Sequence, residues 1–309
     1  MAASPLPTRT GSRDARLLRF AAVAKAAPPP LDAIRRAIIA ALFSDDELYD
    51  HLVLKGGNAL RLVYRLQERT SLDLDFSLDT EFFDLERTEQ RLIRALRDRL
   101  DSAGYSSFDE KLEERPPHPT GRWGGYLLTF KVIARLEHAR LGGDLDALRR
   151  NAVSFGPLGQ RNWSVEFSRY EYCEGKIPYE LDSQRIYVYS PEMLAIEKLR
   201  ALCQQLPEYP QRRHPAPRAR DFYDIHSLMT RLSPPPRLDS AGSVEQARAI
   251  FQAKEVPISL LWEIRRTRDF HAPDWPSVQV STTGTLNDFD FYFEFVATLA
   301  ERLEPLWNE

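Results

Sequence analysis

Leu52-Val53-Leu54-Lys55-Gly56-Gly57-Asn58-Ala59-Leu60 and Arg69-Thr70-Ser71-Leu72-Asp73-Leu74-Asp75-Phe76-Ser77-Leu78 decide how this chain reads. Each segment contains a strand-like run. Between them, Ala59 to Leu66 reads as a helix with Leu60, Val63 and Tyr64 on its apolar side. Side chains alternate between the two faces of a strand. Leu72, Leu74, Phe76 and Leu78 therefore point into a core, and Asp73, Asp75 and Ser77 point the other way together. Two carboxylates crowded on one strand face repel unless positive charge sits between them. Mg²⁺ is bound by such oxygens together with substrate phosphates. Gly56-Gly57 lets the backbone turn tightly and approach a ligand closely. The helix that follows starts with free N–H groups and a positive dipole end, which suits phosphate.

A phosphate cradle followed by a carboxylate pair is a layout for nucleotidyl transfer. Gly-Gly, a short helix and then Arg69-x-Ser71-x-Asp73-x-Asp75-Phe76 resemble the AbiEii/AbiGii-type nucleotidyltransferase toxins, including the MenT-like group. These belong to the DNA polymerase β-like nucleotidyltransferase superfamily. The resemblance resumes at Glu197-Lys198-Leu199, followed by a basic loop, and at Arg220-Asp221-Phe222-Tyr223-Asp224. It covers about residues 30–230 as scattered motifs. Beyond Ser233-Pro234-Pro235-Pro236 no specific motif is seen.

The 309 residues and 43% hydrophobic content suit one large globular domain or two modest ones. A formal net charge of −3 means that any nucleic-acid site must be a local patch. Cys173 and Cys203 make no disulfide framework and read as small core residues. No apolar run approaches the roughly 18 residues of a membrane span, and no signal-peptide core is seen, so a soluble cytoplasmic protein is expected. No P-loop and no zinc spacing is present.

The periodicity predicts helices from Leu31 to Leu42, over 85–103, from Ser190 to about Leu206, and over 243–254, 258–269 and 287–305. The arginines of 85–103 read as a solvated face. Residues 104–125 read as irregular, and 138–160 as a loop with a short helical piece. Strands are expected over 126–136, 163–168 and 185–189. The fold class expected is α+β: a nucleotidyltransferase-type mixed β-sheet with packed helices, followed by a C-terminal helical bundle. Residues 1–30 are expected to be a flexible segment, 31–189 the nucleotidyltransferase core, and 190–309 a helical domain completing the active site.

The residues give Asp73 and Asp75 as Mg²⁺ ligands. Gly56, Gly57 and the backbone near Asn58 hold the β- and γ-phosphates. The family often has Ser or Thr where Asn58 stands; the amide still donates a hydrogen bond. Ser71 either caps the loop or touches phosphate. Arg69 either reaches the triphosphate or makes a surface ion pair. Alternation along Trp163–Ser168 turns Glu166 away from the core, and the resemblance offers it as a third metal ligand. Lys198 shares a helix face with Leu194 and Leu202, so it points into the protein. By the resemblance it contacts the triphosphate and Asp221 holds that geometry; a structural Lys198–Asp221 ion pair is the alternative. The loop with Arg212, Arg213, His214, Arg218 and Arg220 either guides an RNA backbone or is solvated. The resemblance implies an Mg²⁺-dependent toxin of a bacterial toxin–antitoxin system. It would transfer nucleotides from a nucleoside triphosphate (NTP) to RNA, the tRNA acceptor end included, with an antitoxin as partner. The competing readings are transfer to a small molecule, as in aminoglycoside-modifying relatives, and a degenerate binding protein.

Overall fold

The computed structural model describes residues 30–66, 73–117, 123–156, 158–209, 211 and 215–308. Arg69, Ser71, Arg212, Arg213 and His214, and all but the last residue of the 1–30 segment, lie outside the described residues. Strands β1 (Leu52–Lys55), β2 (Leu74–Leu78), β3 (Tyr105–Arg115), β4 (Gly125–Ala134), β5 (Trp163–Ser168), β6 (Ile177–Leu181) and β7 (Gln184–Val188) form one mixed sheet in the order β3-β4-β5-β2-β1-β7-β6. The pairs β2/β5 and β1/β7 are parallel and the others antiparallel.

The alternation seen in the sequence sets the two faces. Leu74, Phe76 and Leu78 are fully buried on one side. Phe43, just past the helix Pro30–Leu42, meets the Phe76 ring at 6.0 Å, and Phe76 meets Phe167 at 5.8 Å. Asp75 and Glu166 are register partners on the opposite face, and Lys55 is opposite Asp75. The helix Pro191–Cys203 covers part of that polar face. Ser190 caps it as expected, its hydroxyl accepting from the Met193 N–H at 3.2 Å. Helices from Ala219 to Arg231, Ala241 to Ala253 and Phe289 to Asn308 complete the C-terminal part. One buried apolar cluster runs from Ile34 through the sheet to Trp307.

Several expectations change. Residues 105–115 are a strand, not irregular chain. Its charge-rich Ser-Ser-Phe-Asp-Glu-Lys-Leu-Glu-Glu carries little β-propensity, but β3 is an edge strand, where charges are tolerated. A register shift between Phe108 and Lys111, with Asp109 in the left-handed region, accommodates it. The segment after Gly56-Gly57 is a short turn, Gly56–Asn58, running into a π-helical turn, Ala59–Val63. The helix from Pro191 stops at Cys203 rather than Leu206, because Pro207 bars regular continuation. Two arginines of the helix Leu85–Ser102 pair with carboxylates that are themselves largely covered: Arg97 with Glu110, and Arg91 with Asp45.

Candidate active site

Beyond the ends of β1 and β2, the polar sheet face and the C-terminal helices enclose a cleft of about 660 Å³. Asp73, Asp75 and Glu166 line one end. Asp75 and Glu166 are direct register partners on parallel strands, so their side chains share a face. Ser164 Oγ donates to Asp73 Oδ1 at 2.6 Å and steadies that carboxylate. The Asp75 carboxyl is pushed up to about 7 by burial and then by Glu166; Lys55 opposes the shift. The Glu166 carboxyl is also raised, by desolvation within the cleft and by Asp73, although part of the residue meets solvent.

Gly56 is required by geometry on two counts. Its φ is +67°, and a Cβ placed on it would collide with the Asp75 carboxylate. Gly56→Ala should therefore displace Asp75 and strain the backbone by roughly 1–2 kcal/mol. The expected result is a transfer rate at least tenfold lower with a modest fall in Tm; a full rate would separate Gly56 from the site. Asn58 is fully buried, and its Nδ2 donates to the Asp73 backbone carbonyl at 2.6 Å. Its side chain thus fixes the start of β2.

Across the cleft stands a wall of cations. Lys198 Nζ lies 2.8 Å from both Asp221 Oδ1 and Asp224 Oδ2, all three residues being buried. The ion pair weighed from the sequence is therefore present, with Asp224 added to it. Burial alone would raise the Asp221 carboxyl, but Arg218 and Lys198 bring it far below the usual range. Arg218 Nε bonds Asp221 Oδ2, and the Arg218 N–H donates to His271 Nδ1 at 3.0 Å. Asp274 accepts the Ala219 N–H at 3.1 Å. The segment from 271 to 274 therefore anchors the start of the helix that bears Asp221. Arg218, at the end of the basic loop, and Arg220, in the first turn of the helix Ala219–Arg231, both line the cleft.

The deep part of the cleft holds a network that sequence reasoning missed. Lys55 Nζ is 3.4 Å from Glu171 and 3.7 Å from Glu197. Arg200 NH2 is 3.4 Å from each of the same carboxylates, and Lys254 Nζ is 3.6 Å from Glu171. Burial would raise the Glu171 carboxyl, but Lys55, Arg200 and Lys254 together bring it down to about 2. Lys55 carried a faint signal, as a cation ending the apolar run Leu52-Val53-Leu54. Lys254 carried none, because it comes from a region with no recognisable motif.

Among the described residues, no three His, Cys, Asp or Glu side chains form a finished metal cage. Mg²⁺ does not need one, since it takes one or two carboxylates and completes its shell with water and substrate phosphates. The all-oxygen donors and the raised proton affinity of Asp75 fit such an ion. Among the described residues no helix is long and apolar enough to cross a membrane.

A sheet bearing a carboxylate pair, a glycine cradle and a cationic wall has the parts of a nucleotidyltransferase. The family model described as "Nucleotidyl transferase AbiEii toxin, Type IV TA system" matches residues 37–294, and the chain belongs to that family. It is a nucleotidyltransferase toxin of a toxin–antitoxin system, which implies a nucleoside triphosphate substrate and a cognate antitoxin. Among solved structures the chain is similar to an antigenic nucleotidyltransferase-like protein from Paracoccidioides brasiliensis. That similarity has 14% identity and a TM-score of 0.36 over 82% of this chain and 95% of the other. No curated protein sequence matches the chain.

Proposed function

We propose that this protein is an Mg²⁺-dependent enzyme that transfers a nucleotide from an NTP to RNA, with the acceptor end of tRNA as the target. The observation that carries the reading is the opposition of Asp73, Asp75 and Glu166 to the cations of the cleft. Asp73 and Asp75 would hold Mg²⁺, with Glu166 beside them as the further candidate ligand. The ion bound there would supply neutralisation of charge on the attacking and leaving oxygens. Gly56, Gly57 and the Asn58 backbone hold the β- and γ-phosphates. Lys198, Arg218 and Arg220 meet the triphosphate from the opposite wall, and Asp221 orients Lys198 and Arg218 toward it. Residues 190–309 thus serve as a helical domain that completes a site begun by 31–189.

In this mechanism an acceptor hydroxyl oxygen bonds to the α-phosphorus as the bond from that phosphorus to the β-phosphate oxygen breaks. Pyrophosphate leaves, and the hydroxyl proton passes to the surrounding carboxylates and then to solvent. The chain's own part is to orient the two reactants and stabilise charge.

The test is incubation of the protein with each labelled NTP, Mg²⁺ and total RNA. Label on tRNA supports the full reading; label on other RNA corrects the target. Label only on a small molecule, or nowhere, overturns it. Arg220 is exposed, so Arg220→Ala should keep the fold. Losing one charge-assisted contact should raise the NTP KM about tenfold. An unchanged KM would remove Arg220 from the triphosphate site.

A further inference from the structure

The cleft is longer than the reacting centre requires. Antiparallel pairing of β1 with β2 sets Lys55 opposite Asp75, so the glycine cradle lies toward Asp73. The Asn58 to Asp73 hydrogen bond confirms that placement. In the other direction the cleft follows β5. The Glu171 N–H donates to the Leu78 carbonyl at 2.8 Å, three positions along β2 from Asp75. At about 3.3 Å per residue this places the Glu171 backbone roughly 10 Å along the sheet from that of Asp75, while the Glu171 carboxylate reaches back to Lys55.

That far end has a composition of its own. Trp123 is half-buried and lines the cleft there. It is held at the rim by its neighbours. The Arg169 N–H donates to the Gly124 carbonyl at 3.3 Å, and Arg169 NH2 donates to the Trp123 carbonyl at 3.4 Å. A Cβ on Gly125 would collide with the Phe167 carbonyl, so only glycine lets β4 close onto β5 at this point. Elsewhere in the same cleft stand the buried cations Arg200 and Lys254. Lys254 Nζ lies 3.6 Å from Glu171 and also donates to the Arg169 carbonyl at 2.5 Å, which brings it to the same end of the cleft as Trp123. An aromatic ring with cationic side chains in the same cleft suits a base and its phosphate in a single strand.

In-line displacement then assigns the occupant. The attacking oxygen must approach the α-phosphorus from the side opposite the leaving pyrophosphate. With the triphosphate tail at the glycine cradle, the attacker enters from the far end. Resting on the nucleotidyl-transfer reading above, we infer that the far end of the cleft binds one nucleotide unit of the single-stranded acceptor. Its base stacks on Trp123, and its phosphate faces Arg200 and Lys254.

The test separates acceptor binding from catalysis. A short single-stranded RNA with a free 3′-hydroxyl is titrated against the full chain by fluorescence anisotropy. NTP affinity is measured in parallel by equilibrium dialysis with Mg²⁺. Trp123→Ala should weaken RNA binding at least about fivefold, and Trp123→Phe should restore most of it. Lys254→Gln should weaken RNA binding and flatten its salt dependence, and Lys254→Arg should restore both. NTP affinity should stay within about twofold in every variant that melts like the wild type. Equal losses for NTP and RNA would assign this end to the incoming nucleotide instead. Unchanged RNA affinity in Trp123→Ala and Lys254→Gln would overturn the subsite. A wild type that transfers nothing to RNA but binds the oligonucleotide in this Trp123-dependent way would count against the proposed reaction and leave the subsite standing.

Discussion

Asp73→Ala and Asp75→Ala should each lower nucleotide transfer at least about a thousandfold and remove toxicity, with the fold intact. Losing a ligand that holds Mg²⁺ against the triphosphate removes several kcal/mol of charge stabilisation. Folding survives because the two carboxylates repel each other and Glu166 in the metal-free protein. Asp75→Asn gives the sharper check. Its folded-state carboxyl is raised from 3.8 to about 7, so the unfolded chain releases this proton first as pH rises. The wild type therefore loses stability between about pH 4 and pH 7 on account of this group. Asp75→Asn has no such loss. It should melt above the wild type at pH 8 without Mg²⁺, with the difference shrinking toward pH 4. Thermal melting and transfer rate on the same preparations decide it. Wild-type transfer by either aspartate variant would refute the assignment.

Glu171→Gln should be the most destabilising of the cleft substitutions. The residue is buried and is the shared partner of Lys55, Arg200 and Lys254. Removing its charge leaves Lys55 and Arg200 sharing the Glu197 carboxylate and takes the Glu171 charge from Lys254, and breaking a buried ion pair from one side costs about 3–5 kcal/mol. For a chain of this size that is a fall in Tm of roughly 5–15 °C. The pH dependence has the opposite sign to that of Asp75. The folded carboxyl is lowered from 4.5 to about 2, so its contribution is fully present above pH 4.5 and is lost as pH falls toward 2. The shift corresponds to roughly 3 kcal/mol. Wild-type and Glu171→Gln melting temperatures should therefore converge on acidification. A variant that melts with the wild type at pH 7 would mean that the cations are held by something else.

The sequence by itself determined the frame of the fold and the polar strand face that carries the candidate carboxylates. Period-two alternation placed Leu74 and Phe76 in the core and turned Asp73 and Asp75 away from it, because a strand offers only two faces. The same rule turned Glu166 outward, and the Ser190-Pro191 cap located the helix that carries Lys198. The mixed sheet and the helical C-terminal part were legible from these local patterns. What lies across the cleft was not, because pairing over long sequence distances leaves no periodic trace. Only the tertiary structure decided that Lys55 stands opposite Asp75, and that Glu166 falls in register with it. Only folding brings Lys254 to Glu171, and His271 beneath Arg218. The edge strand β3 stayed hidden for a related reason: its charges deny it any local β signal, and pairing with β4 alone makes it a strand.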